Sequence, residues 1–246
     1  QQIKQTFDLH ALIHAMSPAA SAPAAPSVAA DTPPARERLL QAALQLFAEH
    51  GYAKTSIRAI AQAAQANVAA GSYYFGDKAT LYAALFSESF GDMQPLVDAF
   101  SSERLSLREA MACYFGGMLE PLQHGERARQ FMRLHIREML EPTSQWEREM
   151  QASVRVPHEA LVGLLARHLN LAASDDGLER LAFSISGLAM QVWCQQDVLI
   201  ALRPQLLDAP DALQAWVHRL TAYALALVAA EAALRGLAPP PMPHQP

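Results

Sequence analysis

The chain is poor in charge and almost without cysteine: 17% of its 246 residues are Asp, Glu, Lys or Arg, and only Cys113 and Cys194 carry a thiol. Two cysteines at that separation make neither a disulfide framework nor a metal-ligand spacing, and they point to a reducing cytoplasm. Also missing are an apolar run of the ~18 residues that a membrane-spanning helix needs and a convincing signal peptide. No stretch alternates apolar and polar residues as a strand does, and no repeat with a period of about 20 to 50 residues recurs. There is no nucleophile elbow, phosphate loop, dinucleotide fingerprint or paired metal motif, so an enzyme is not expected, nor a cofactor or metal.

What is present is apolar and helical. The 51% hydrophobic content can bury a large core, and the length fits one small domain joined to a larger one. A net charge of −5 excludes a general polyanion binder. Between Arg36 and Lys78, however, Arg36, Arg38, Lys54, Arg58 and Lys78 outnumber Glu37, Glu49 and Asp77, a local balance of +2. So small a surplus suits a few placed phosphate contacts rather than a broad electrostatic track.

Residues 1–34 read as an extension outside the fold. Pro18, Pro23, Pro26, Pro33 and Pro34 among alanines and serines make an extended linker. Before it, Ile3, Phe7, Leu12, Ile13 and Met16 share a helical face, and Met16-Ser17 reads as a natural start, leaving residues 1–15 as either upstream sequence or a docking helix. From Ala35 the pattern is helical: Leu40, Ala43, Leu44 and Phe47 repeat at helical spacing before Gly51 as a stop. Asp77 caps a fourth helix expected to reach about Phe100 with a bend near Gly91 and Pro95, and Ser106-Leu-Arg-Glu109 is a capping box. A helix starting near Glu126 ends at Pro142, two or three helices fill 143–170, and two apolar helices close the chain at about 175–199 and 211–235. A proline-rich tail, 237–246, follows.

Residues 55–78 carry the strongest signal. Thr55 or Ser56 can cap a helix bearing Ile57, Ile60 and Ala61, and Asn67 can cap a second that begins at Val68. Two short helices about a tight turn form a helix-turn-helix. With Arg38 to Tyr52 as a preceding helix, the segment resembles the DNA-binding region of TetR-family transcriptional repressors; Asn67-Val-Ala-Ala70, Tyr73-Tyr-Phe-Gly76 and Lys78 are similar to the branch with a CerR-like C-terminal domain, and Glu138-Met-Leu-Glu-Pro142 adds to that likeness. The resemblance implies an all-α protein: a three-helix DNA-binding domain over 35–80, then a helical ligand-binding and dimerisation bundle over 81–236.

A recognition helix meets base edges through its first turns, so Val68, Ala69, Gly71 and Ser72 are the expected groove-facing positions, all small or apolar. Thymine methyls, the Ser72 hydroxyl and close backbone approach are then the means of direct reading, with Arg58 on the preceding helix adding to them; the capping residues Thr55, Ser56 and Asn67 are also expected among the DNA contacts. Tyr73 and Tyr74 can offer hydroxyls to phosphates, and the resemblance favours Tyr73. Lys78 opposes the helix dipole unless an anion lies nearby, which a phosphate satisfies.

For the second domain the resemblance implies a small-molecule pocket, with Phe100, Tyr114, Met118, Phe131, His135, Met139, Trp146 and Met150 as candidates, although aromatics and methionines at helical spacing are also ordinary core. His135 and Glu138 lie on one helical face with Phe131 and Leu134, and a lone pair of this kind is no metal site. The last two helices carry Ile185, Gly187, Ala189 and Trp193, then Leu220, Tyr223, Ala224 and Leu227, an apolar excess that points to a homodimer. The reading is a repressor that binds a palindromic double-stranded DNA operator and is released by a small-molecule inducer, with no membrane partner. The alternative is an all-helical apolar-ligand binding protein or enzyme without sequence-specific DNA binding.

Overall fold

Short polar side chains set several helix starts. The Ser56 hydroxyl accepts the Ala59 N–H at 3.1 Å, the Asn67 side chain accepts the Ala69 N–H at 3.0 Å, and Asp77 accepts the Thr80 N–H at 2.7 Å. Ser106 and Glu109 form the reciprocal capping box expected of them. The computed structural model describes residues 34–89 and 93–237, so the expectations for the apolar N-terminal face, the linker up to Pro33, the bend at Gly91 and the tail beyond Leu237 lie outside the described residues.

The described residues contain no strand. The helices are α1 (Ala35–Lys54), α2 (Ile57–Ala63), α3 (Val68–Phe75), α4 (Lys78–Ser89), α5 (Gln94–Ser101), α6 (Leu107–Leu119), α7 (Glu126–Leu140), α8 (Trp146–Glu149), α9 (Val156–His168), α10 (Asp176–Cys194), α11 (Gln196–Leu202), α12 (Gln205–Asp208) and α13 (Ala212–Leu234). Gly51 breaks the helical conformation near the end of α1 with φ of 81°, a left-handed value that favours glycine. The expected fourth helix is two helices here, because Pro95 sits in the first turn of α5, where its missing N–H costs nothing. The helix expected over 175–199 likewise ends at Cys194, and α11 begins at Gln196.

The described chain forms two packed units. The first holds α1 to α4 with α7 and α8; α1 is its central helix and packs on α2, α3, α4 and α7. Phe47, Ile60, Leu81, Tyr82, Leu85 and Leu134 are fully buried in it. Helix α7 thus joins the helix-turn-helix half in space although a long stretch of sequence separates them. Arg137 lays its side chain against Gly51 and donates to the Glu49 carbonyl at 3.3 Å.

The second unit holds α5, α6 and α9 to α13. Helix α13 packs on α6, α10 and α12, and α9 on α5 and α10. Phe100, Met111, Phe115, Leu119, Ile185 and Val228 form its fully buried core, each contributing about 1.5 to 3 kcal/mol of hydrophobic stabilisation. Arg235 at the end of α13 grips Asp175, the N-cap of α10, through two bonds of 2.6 and 2.7 Å. One expectation needs correction: by length and composition α13 is apolar enough to cross a membrane. Its apolarity has a local cause, because Val217, Leu220, Ala224, Leu225 and Val228 are buried as it packs on α6, α10 and α12.

Candidate functional site

The reading unit is built by α2 and α3. Its turn runs through Ala64 to Asn67, with the Ala66 N–H bonded to the Ala61 carbonyl at 2.9 Å and Gln65 in the left-handed region at φ of 51°. Inward, Ile60, Ala61, Ala64 and Phe75 are buried. Outward, α3 shows Val68, Ala69, Ser72, Tyr73 and Tyr74, with Tyr73 83% exposed; Arg58 on α2, Ser56 and Asn67 are exposed too. An uninterrupted small-residue face flanked by tyrosines is therefore available.

Two of the expected contact residues do not belong to that face. Thr55 is 3% exposed and donates its hydroxyl to the Gly51 carbonyl at 2.8 Å, so it closes the end of α1 while Ser56 caps α2. Gly71 is buried, and a Cβ there would lie 3.2 Å from Ile57 Cγ2. It turns toward α2, which the periodicity of an eight-residue helix did not reveal.

Charge is similarly divided between structure and surface. Arg36 pairs with Glu88 through two hydrogen bonds and lies 5.1 Å from the Phe75 ring centroid, and Arg38 donates to the Ala64 carbonyl. Those two cations hold the unit together. Lys54 and Arg58 are exposed. Lys78, half-buried at the first position of α4, sets its ammonium 4.2 Å from the Tyr52 ring centroid, and this cation–π contact eases the conflict with the helix dipole within the unit itself. The Asp77 carboxyl beside it is held below its ordinary value by the Thr80 N–H. Tyr52 was not singled out by sequence; its place beside Gly51 in the α1 segment was the only signal.

The ligand candidates divide between the units. In the second, Tyr114 is buried edge-on to Phe100 at 5.2 Å and to Phe115 at 5.3 Å; burial raises its phenol above the ordinary value, while Met118 is half-buried and offers its carbonyl to Trp193. In the first, Phe131 and His135 are buried and stacked with centroids 6.5 Å apart, Met139 is 41% exposed, and Trp146 and Met150 are half-buried. Glu138 is fully buried and accepts from the Tyr82 hydroxyl at 2.7 Å and from the Thr143 N–H and hydroxyl, each at 2.8 Å. Among the described residues no cluster of His, Cys, Asp or Glu is arranged to hold a metal.

Of the dimer candidates, Ile185, Ala189, Trp193, Leu220 and Ala224 are covered by their own chain. Because α13 packs on both α6 and α10, the chain itself covers more apolar surface than a single bundle face requires. Gly187 and Tyr223 are exposed and Leu227 half-buried, with exposed Phe183 and Ala226 extending the same helices.

With this geometry in place, likeness to known proteins decides the family. A profile described as "Bacterial regulatory proteins, tetR family" matches residues 39–85, and one described as "HTH-type transcriptional dual regulator CecR, C-terminal domain" matches residues 107–230, half of the chain. The chain is a TetR-family transcriptional regulator. Its C-terminal branch is that of CecR. Solved structures agree on the fold: a putative transcriptional regulator from Pseudomonas aeruginosa PAO1 shares 22% identity over 81% of this chain and 92% of its own, with a TM-score of 0.57. A TetR-like transcriptional regulator from Rhodococcus sp. RHA1 shares 21% over 83% and 99%, with a TM-score of 0.54. HlyIIR, a hemolysin II transcriptional regulator, shares 21% over 76% and 97%, with a TM-score of 0.53. Comparison with curated proteins gives no match.

Proposed function

We propose that this TetR-family regulator is a repressor that binds a palindromic operator as a homodimer and leaves it when a small molecule binds. The exposed small-residue face of α3, with Val68, Ala69 and Ser72 flanked by Tyr73 and Arg58, carries the reading. A helix presenting such a face enters a major groove without clash and reads thymine methyls and one hydroxyl partner, while Tyr73, Lys78 and neighbouring N–H groups engage phosphates. The two-fold pairing surface is narrower than the apolar pattern implied, centred on Phe183, Gly187 and Tyr223, whose exposure supports a partner there. Two recognition helices about 34 Å apart then meet successive major grooves.

The inducer is a largely apolar small molecule with one polar group. Glu138 is committed to Tyr82 and Thr143, so the polar group is met elsewhere. The test is equilibrium binding to the selected operator across a salt series: Lys78→Ala and Tyr73→Phe weaken all duplexes about equally, and the lysine variant loses ~0.9 from the slope of log affinity against log salt. A released complex must also obey reciprocity, with operator weakening ligand binding by the same factor that ligand weakens operator binding.

A further inference from the structure

The Glu138 carboxylate is buried and yet receives three donated hydrogen bonds, one of them from α4. A buried carboxylate costs free energy unless its oxygens are satisfied, so this cluster holds one geometry tightly. The Tyr82 ring fixed by that bond stands edge-on to Tyr52, with centroids 4.8 Å apart and planes at 65°, and edge-on to Phe47 at 4.9 Å. On Tyr52 rests the Lys78 ammonium. Lys78 and Tyr82 are one turn apart on α4, linked through the Tyr52 ring of α1, and Tyr82 is anchored in turn to the Glu138 carboxylate of α7.

We propose that Tyr82 and Glu138 are positioning residues for DNA binding, which hold the Tyr52 ring where it presents the Lys78 ammonium to a phosphate. The proposal rests on the reading of Lys78 as a phosphate contact. Space alone does not explain the tyrosine at position 82, because a phenylalanine ring would fill the same volume; it is the hydroxyl that reaches Glu138. An ammonium over a ring face is held at its base while its outward N–H groups stay free for an anion. Losing the Tyr82 hydroxyl therefore loosens the lysine without removing any group that touches DNA.

A double-mutant cycle separates this from a role in folding alone. Wild type, Tyr82→Phe, Lys78→Ala and the double variant are titrated with a mixed-sequence duplex of about 30 base pairs, long enough for two half-sites a helical turn apart. Tyr82→Phe should weaken binding about 3- to 10-fold, the scale of one cation–π contact, and lower the salt slope, while adding nothing in the Lys78→Ala background. Should Tyr82→Phe melt too early to measure, Glu138→Leu, which removes the acceptor of the Tyr82 hydroxyl, takes its place in the cycle with the same expectation. Effects that add in full, or a Tyr82→Phe variant that binds like wild type, overturn the positioning role and leave the lysine contact standing. An unchanged salt slope in Lys78→Ala overturns the lysine contact and the positioning role together.

Discussion

Ile57 lies where a side chain on residue 71 would go, with its Cγ2 3.2 Å from a Cβ built on Gly71. The glycine is thus a packing device that lets α3 approach α2, and it turns away from the surface offered to DNA. Gly71→Ala sets a helix-propensity gain of about 1 kcal/mol against this squeeze and should change stability by less than about 1 kcal/mol. Gly71→Leu should cost about 1 to 3 kcal/mol by overpacking. Denaturant unfolding measures both; a leucine variant of unchanged stability would place residue 71 on the outer face instead.

Specificity should reside at the exposed Ala69 and Ser72 that flank this buried position. Ser72→Ala removes the one aliphatic hydroxyl on the outer face of α3 and should relax discrimination at one operator position by about 1 kcal/mol, leaving the salt slope unchanged. Ala69→Gln places an adenine-reading amide on the same face and should change the preferred base there. Competition between operator variants reads both effects.

How much of this was legible depended on range. Caps at Ser56, Asn67, Asp77 and Ser106 were readable because each bond closes within three residues. Glu138 was read with His135 because they share a helical face, but the carboxylate reaches Tyr82, 56 positions away. Arg137 meets Glu49 across 88 positions. Periodicity shows that one face of α7 is buried and says nothing about which helix covers it. The same limit applies to the proposed pairing surface: an apolar residue on α13 looks alike whether α6 or a second subunit lies over it.

Acid should loosen the second unit through Asp175. Two hydrogen bonds from Arg235 and the Leu178 N–H hold its carboxyl well below the ordinary value of 3.8. A depressed folded-state value means that the contribution is complete above that ordinary value and is lost as pH falls toward the folded one. Asp175→Asn keeps the cap but loses the charged clasp, so it should be less stable than wild type at pH ~6, with the difference shrinking progressively as pH falls below about 4. Melting temperatures across that range decide the point, and parallel curves would count against the clasp.

Gly187 and Gly163 form a matched pair for testing the proposed dimer. Both are exposed helical glycines, and a Cβ on either meets nothing within 4 Å in the chain. Alanine at either site should therefore favour the isolated fold by up to about 1 kcal/mol. Gly187→Glu should shift the solution mass from dimer to monomer, because it places a charge in the pairing surface, whereas Gly163→Glu should leave the mass unchanged. Equal behaviour of the two glutamate variants would move the interface off α10.

The central claim is that α3 reads DNA sequence as one of a two-fold pair, and selection of binding sites from random duplexes tests it most directly. The enriched sequences should be palindromes whose half-sites are centred about one helical turn apart, ~34 Å or a small multiple of it. Enrichment should be lost in Gly187→Glu. A pool that stays random after repeated selection, with binding that vanishes at modest salt, would contradict the account.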